Sequence, residues 1–144
     1  MNLLQVLKSI APEFIKEPVM NYLNDRRDRR AWIQYDRKPC IPPPHVVKVN
    51  HVLQCARRHG IEIMVETGTF QGGMVRKCLA HFRMIYSIEL GHALAAQAAK
   101  RFSWHSHVQI IEGDSAKCLP KILKSINERC LFWLDGHYSG YDYS

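Results

Sequence analysis

The strongest constraint on the fold is an apolar run that leads into a glycine-bearing turn and then into a helical pattern. Residues 61–65 read Ile-Glu-Ile-Met-Val, residues 66–73 read Glu-Thr-Gly-Thr-Phe-Gln-Gly-Gly, and a helical pattern follows over residues 74–82. Glycines let the backbone come close to a ligand, and the start of a helix points unpaired N–H groups towards it. This order predicts a site for a nucleotide-like cofactor. The carboxylate of Glu66 suits a cationic group and repels a pyrophosphate.

Three further runs of strand length end in acidic residues. These runs are residues 84–88, 108–112 and 131–134, and the acids that follow them are Glu89, Asp114 and Asp135. Glu89 lies about 20 residues after the glycine turn, the spacing at which a carboxylate meets ribose hydroxyls in Rossmann-like sheets. In open α/β sheets, ligands bind at the edge where the strands end. Four strand ends therefore predict one shared site.

Helical patterns separate these strands. They cover residues 46–59, 92–102 and 115–126, and Pro120 is expected near the start of the last helix. Strands that alternate with helices predict βαβ units, right-handed crossovers and a parallel sheet.

The series resembles the class I S-adenosylmethionine-dependent methyltransferases, over roughly residues 46–140. The resemblance rests on the acid-x-Gly-x-x-x-Gly pattern from Glu66 to Gly72, on Glu89, on the pair Gly113-Asp114 and on the strand end Asp135-Gly136-His137. The segment Pro-Pro-Pro-His at residues 42–45 also tends to occur in similar small-molecule O-methyltransferases. The resemblance implies an α/β, Rossmann-like parallel sheet in the order 3-2-1-4 with helices on both faces. It also implies S-adenosyl-L-methionine as the cofactor.

The resemblance further implies a role for each strand end. Glu66 would face the methionine amino group, Glu89 the ribose hydroxyls, and Asp114 the adenine amino group beside Gly113. Asp135 would lie by the transferring methyl and His137 close to the substrate, and either is a candidate base for a hydroxyl acceptor. The turn would hold the methionine part of the cofactor, through Thr67, Gly68, Thr69 and Gly72. No metal is predicted, because Asp135 and Asp142 alone do not make a convincing cation site.

Each of these residues also has a plainer interpretation. Glycines after a strand are common in simple turns, Glu89 could be a solvated strand end, and Asp114 could be a helix N-cap. His137 could be an ordinary surface histidine. The order of four motifs favours the methyltransferase interpretation. A nicotinamide-dependent oxidoreductase ranks last, since it needs Gly-x-Gly-x-x-Gly and the second glycine position holds Phe70.

The N-terminal part is predicted to be separate from the sheet. We expect a basic helical cap at residues 1–38, a proline-rich linker at 39–45, and an S-adenosylmethionine-binding α/β domain at 46–144. Pro12 and Pro18 predict two short helices in the cap rather than one. The chain carries a net charge of +7, and its basic residues are densest at 26–30. This cluster could meet nucleic acid, but a solvated helix face is favoured, so a nucleic-acid partner is not expected.

The composition of the chain bears on where in the cell the protein is expected. No run approaches the roughly 18 to 20 apolar residues of a membrane helix. The five cysteines are scattered and form no Cys-x-x-Cys pair, which favours a reducing, cytoplasmic location.

The family that the chain resembles continues through three more strands after the fourth. We therefore expect a truncated domain whose C-terminal strands are missing and whose fourth strand is an exposed edge. That edge could form a homo-oligomer or accept a complementing partner. The expected activity is S-adenosylmethionine-dependent O-methylation of a small-molecule or sugar-like acceptor. The alternative is a non-catalytic or truncated methyltransferase-like binding module, and a nucleic-acid methyltransferase is less favoured.

Overall fold

The computed structural model describes residues 13–38 and 42–135, with side chains from residue 23 onward. The chain divides into two compact units, Met1–Lys48 and Val49–Ser144. The first unit contains helix α1 (Glu13–Arg37). The predicted helix break at Pro18 is wrong, because α1 runs through this residue. Pro18 lies in the second turn, where its missing N–H removes one backbone hydrogen bond, and the helix continues beyond it. Pro12 lies outside the described residues.

The second unit is built around four parallel strands in the order β3-β2-β1-β4. They are β1 (Ile63–Thr67), β2 (Met84–Glu89), β3 (Val108–Glu112) and β4 (Cys130–Leu134). β1 is central and pairs with both β2 and β4, and β2 also pairs with β3. The predicted Rossmann-like parallel sheet in the order 3-2-1-4 is confirmed.

Helices connect and flank these strands. They are α2 (His45–His59), α3 (Gly73–Cys78), α4 (His92–Phe102) and α5 (Ser115–Leu123). α4 packs against β2 and β3, whereas α5 packs against β2. Among the described residues, no helix is long and apolar enough to cross a bilayer.

Several elements differ from the predicted ones, and local hydrogen bonds mark the observed ends of α2 and α5. Ile61 does not begin β1, since its N–H bonds the carbonyl of Ala56 and closes the end of α2 around Gly60, whose φ is 58°. α5 ends at Leu123 rather than at residue 126, because the Ser125 hydroxyl bonds the carbonyl of Ile122 at 2.7 Å. Pro120 lies inside α5 rather than near its start.

α3 is also shorter than predicted. It ends at Cys78 rather than at residue 82, and the N–H of His81 bonds the carbonyl of Cys78 in a tight turn. The helix therefore gives way to a turn at residues 79–81 and a bend at Arg83 before β2 begins.

The core lies between one face of the sheet and helices α2, α3 and α4. Met64, Ile85 and Leu131 stand side by side in the parallel register, so their side chains share that face. Met64 and Ile85 are fully buried, and each contributes about 1.5 to 3 kcal/mol of burial free energy. Residues two positions further along β1 and β2 point to the same face, at the end of the sheet where the site is expected.

β4 presents a different surface. Its Leu131 side chain enters the core, whereas Phe132 and Leu134 point to the opposite face and are 43% and 68% exposed. Within the described residues, one edge of β4 pairs with β1, and no strand pairs with its other edge. Association through β4 stays a prediction.

Candidate functional site

The glycine turn after β1 has an unusual backbone. Gly68, Phe70 and Gly72 have φ values of 84°, 48° and 69°, so three of five successive residues adopt left-handed conformations. The N–H groups of Gly68 and Thr69 both bond the carbonyl of Ile88, at 2.8 and 3.2 Å. The turn is therefore fastened to the end of β2, and its shape requires glycine at positions where other residues are strained.

Gly72 has a second reason to be glycine. A Cβ atom at this position would lie 2.6 Å from Cε2 of Phe102, a buried residue at the end of α4. Because the turn approaches α4 closely, any side chain here would force the ring of Phe102 to move. The sequence predicts that Gly72 contacts the methionine part of a cofactor, and that role stays a prediction beside this packing role.

Glu89 braces the turn. Its Oε2 accepts a hydrogen bond from the N–H of Phe70 at 2.7 Å, and its Oε1 accepts one from the N–H of Gly91 at 2.9 Å. The residue is 3% exposed. The contact of Glu89 with ribose hydroxyls stays a prediction, and the sequence does not predict the two backbone hydrogen bonds that fasten the turn to this residue. The signal for these bonds was Phe70: it is a non-glycine residue within the turn, and its backbone N–H needs an acceptor.

Glu66 lies at the centre of a buried polar group. It is 2% exposed, and it pairs with Ser87 in the register of β1 and β2. The Ser87 hydroxyl donates to Oε2 of Glu66, and Oγ1 of Thr69 lies 2.6 Å from Oγ of Ser87. Sequence reasoning missed Ser87. The signal for it was a hydroxyl residue in an apolar strand, two positions before Glu89.

The surroundings of Glu66 oppose its negative charge. The pKa of Glu66 is raised to about 8: burial is the largest cause, the Ser87 hydrogen bond opposes it, and the carboxylates of Asp135 and Glu89 add smaller increases. Burial, followed by the charge of Glu66, also raises the pKa of the Cys78 thiol to about 12. A site in which three carboxyl groups lie close together suits a cationic ligand.

Asp135 follows β4 and brings a third acid to the same edge. Its N–H bonds the carbonyl of Thr67 at 3.1 Å, and the residue is half-buried. The side chain of Thr67 points to the opposite face of the sheet from that of Glu66, because side chains alternate along a strand. A cofactor contact of Thr67 stays a prediction, as does the role of Asp135.

Gly113 and Asp114 lie after β3. Gly113 has φ 143°, and a Cβ atom there would lie 2.9 Å from Sγ of Cys118. Asp114 is exposed and is the N-cap of α5, since its Oδ1 accepts from the N–H of Ala116 at 2.9 Å. The helix-cap interpretation of Asp114 is therefore observed, and its contact with adenine stays a prediction.

The remaining candidate residues are not all covered by the structure. Gly136, His137 and Asp142 lie outside the described residues. Within residues 13–38 and 42–135, no group of three or more histidine, cysteine or acidic side chains is placed to hold a metal ion.

Comparison with known proteins supports the fold. No model of a protein family matches the chain, and no curated protein matches it. Among solved structures, the O-methyltransferase TomG from Streptomyces achromogenes, in complex with SAM, has a TM-score of 0.53 at 18% identity, over 76% of this chain and 52% of TomG. An O-methyltransferase from Bacillus cereus, in complex with SAH, has a TM-score of 0.53 at 12% identity, over 91% of this chain and 59% of that one.

The chain thus spans between half and three-fifths of the length of these two enzymes. What it shares with them is the parallel sheet and its flanking helices. The described chain has the Rossmann-like fold that is found in S-adenosylmethionine-dependent O-methyltransferases.

Proposed function

We propose that the chain binds S-adenosyl-L-methionine at the glycine turn and transfers its methyl group to an oxygen of a small-molecule acceptor. The observation that carries the proposal is the cluster of Glu66, Glu89 and Asp135 around this turn, in which Glu66 is buried beside two other acids. S-adenosylmethionine carries an ammonium and a sulfonium, and both positive charges suit such a cluster. The likeness of the fold to O-methyltransferases supports the choice of cofactor and of reaction.

Glu66 fits the ammonium group. A carboxylate offers about four lone-pair sites, and the Ser87 hydroxyl uses one site on Oε2. Acceptor capacity therefore remains for an ammonium. Because Glu66 is 2% exposed, a charge pair formed there is weakly screened by water and stronger than one at the surface.

Glu89 and Asp114 fit the nucleoside part. Each oxygen of Glu89 accepts one backbone N–H, which leaves a lone pair on each for the ribose hydroxyls. Asp114 uses Oδ1 for the cap of α5, and we assign its second oxygen to the adenine amino group. Gly68, Thr69 and Gly113 bring the backbone close to the ligand between these acids.

The protein would contribute mainly orientation. When bound, S-adenosylmethionine supplies an activated methyl group, and the fixed position of the acceptor beside it lowers the entropic part of the barrier. Asp135 lies at the end of β4 and is half-buried, a position from which it could take the proton of an acceptor hydroxyl. We assign the same role to His137, two residues further along the sequence.

Calorimetric titration with S-adenosylmethionine and S-adenosylhomocysteine tests the proposal. We expect saturable binding by the wild-type chain and a loss of about tenfold or more in Glu66→Gln, since a charged hydrogen bond contributes about 1.5 to 3 kcal/mol. Glu62→Gln is the matched control, because Glu62 is exposed and lies just before β1, at the other end of the strand. A folded chain that binds neither ligand would contradict the proposal. Binding without methyl transfer to any acceptor would favour the non-catalytic binding module.

A further inference from the structure

Ser87 places a hydroxyl group in an otherwise apolar part of the core. It is fully buried in β2, two residues after the core residue Ile85 and next to the buried Ile88. A polar group buried among apolar neighbours is unfavourable unless it is hydrogen-bonded. Ser87 pairs with Glu66 in the register of two parallel strands, so both side chains lie on the same face.

The hydroxyl hydrogens have a defined direction. When Glu66 is ionised, its Oε2 can only accept, so Ser87 donates its one hydroxyl hydrogen there. Oγ of Ser87 then accepts from Oγ1 of Thr69, which lies 2.6 Å away. The chain of donors therefore runs from Thr69 to Ser87 to Glu66. Because Thr69 belongs to the glycine turn, this hydroxyl relay joins the turn to the carboxylate.

Among the described residues, three other titratable groups interact with Glu66. These are Glu89 on β2, Asp135 after β4 and the thiol of Cys78 on α3. Burial, and to a smaller extent the two acids, raises the pKa of Glu66, whereas the donated hydrogen bond from Ser87 lowers it; the net result is a pKa of about 8. Because Glu66 is 2% exposed and lies beside two other acids, its surroundings favour the protonated form in the ligand-free molecule.

We infer that Ser87 and Thr69 are positioning residues that orient Glu66 for the ammonium group of the cofactor, and that cofactor binding releases one proton from Glu66. This inference rests on the proposed function. The carboxylic acid loses its proton to solvent and becomes a carboxylate, while the ammonium keeps its three hydrogens and pairs with it. The relay stabilises the carboxylate, and so reduces the work of removing that proton.

The first test follows the carboxyl carbon of Glu66 by NMR in the ligand-free protein as the pH is raised. Four proteins are compared: the wild type, Ser87→Ala, Thr69→Val and Thr69→Ser. We expect the titration midpoint to rise in Ser87→Ala, to rise less in Thr69→Val, and to stay at the wild-type value in Thr69→Ser, which keeps the hydroxyl. If Ser87 were merely structural, Ser87→Ala would lower the melting temperature without moving this midpoint. An unmoved midpoint would overturn the inference.

The second test measures the affinity for S-adenosylmethionine between about pH 5.5 and 7. The wild type should bind about tenfold more weakly for each pH unit of acidification. Methylthioadenosine lacks the amino-acid part and should show no such slope. At neutral pH, Ser87→Ala should lower the affinity for S-adenosylmethionine by about tenfold and leave the affinity for methylthioadenosine unchanged.

An affinity for S-adenosylmethionine that does not fall on acidification would overturn the proton release. A wild-type chain that binds no S-adenosylmethionine at any pH would refute the proposed function instead. In that case the carboxyl titration still decides separately whether the relay controls Glu66.

Discussion

Replacement of Gly72 by alanine offers a quantitative test of how the glycine turn is packed. Two costs add. Gly72 has φ 69°, and a left-handed conformation costs a residue with a Cβ about 1 to 2 kcal/mol. The new Cβ would also lie 2.6 Å from Cε2 of Phe102, which is 3% exposed and has little room to move. Overpacking of this kind costs about 1 to 3 kcal/mol, so the expected loss of unfolding free energy is about 2 to 5 kcal/mol.

Gly60→Ala is the matched control. Gly60 has φ 58°, but a Cβ atom there would meet nothing within 4 Å. Only the conformational cost applies, so we expect a loss of about 1 to 2 kcal/mol. In urea, with a slope of about 2 kcal/mol per molar, the midpoint should fall by about 1 to 2.5 M for Gly72→Ala and by about 0.5 to 1 M for Gly60→Ala.

A double-mutant cycle with Phe102→Leu separates the two costs, since leucine lacks the ring atoms that the new Cβ would meet. We expect Phe102→Leu to destabilise Gly72→Ala by at least about 1 kcal/mol less than it destabilises the wild type. Equal losses for Gly72→Ala and Gly60→Ala, together with an additive cycle, would refute the packing argument.

Three further predictions concern the acids and the thiols. The pKa of Glu66 is raised from 4.5 in the unfolded chain to about 8 in the folded chain. Its contribution to the free energy of unfolding is therefore fully present below about pH 4.5 and is lost as the pH rises through 8. Chemical denaturation across this window should show a falling free energy of unfolding in the wild type and a flatter profile in Glu66→Gln. Glu89→Ala should cost about 1 to 3 kcal/mol per N–H group left without an acceptor, with faster hydrogen exchange in the turn. Cys78, buried with a pKa of about 12, should resist alkylation near pH 8 in the folded chain, whereas the exposed Cys55 should react.

The strand order could be predicted because each strand ends in a distinct motif. β1, β2, β3 and β4 carry their acids at one edge, so the resemblance and the rules for parallel sheets were sufficient to place them. The predicted start of β1 was two residues early, because Ile61 gives its N–H to α2. A bond of this kind is set by local geometry and leaves no periodic trace in the sequence.

The positions of three acids at the strand ends could also be predicted, but their hydrogen-bond partners could not. Glu66, Glu89 and Asp135 stand at the ends of predicted strands. Ser87, by contrast, reaches Glu66 only through the register of two strands that are 21 residues apart in sequence, and a sequence does not state that register. The packing of Gly72 on Phe102 depends on the path of α4 in the same way.

The central claim is that the glycine turn is a cofactor site, and backbone amide chemical shifts test it most directly. S-adenosylhomocysteine is added to the ¹⁵N-labelled chain, and the amide signals are followed to saturation. The account predicts large shifts at Gly68, Phe70 and Gly113, which surround the proposed site, and no shift at Gly60, which lies at the other end of the sheet. Saturable shifts confined to residues away from the turn, or no shifts in a folded chain, would contradict it.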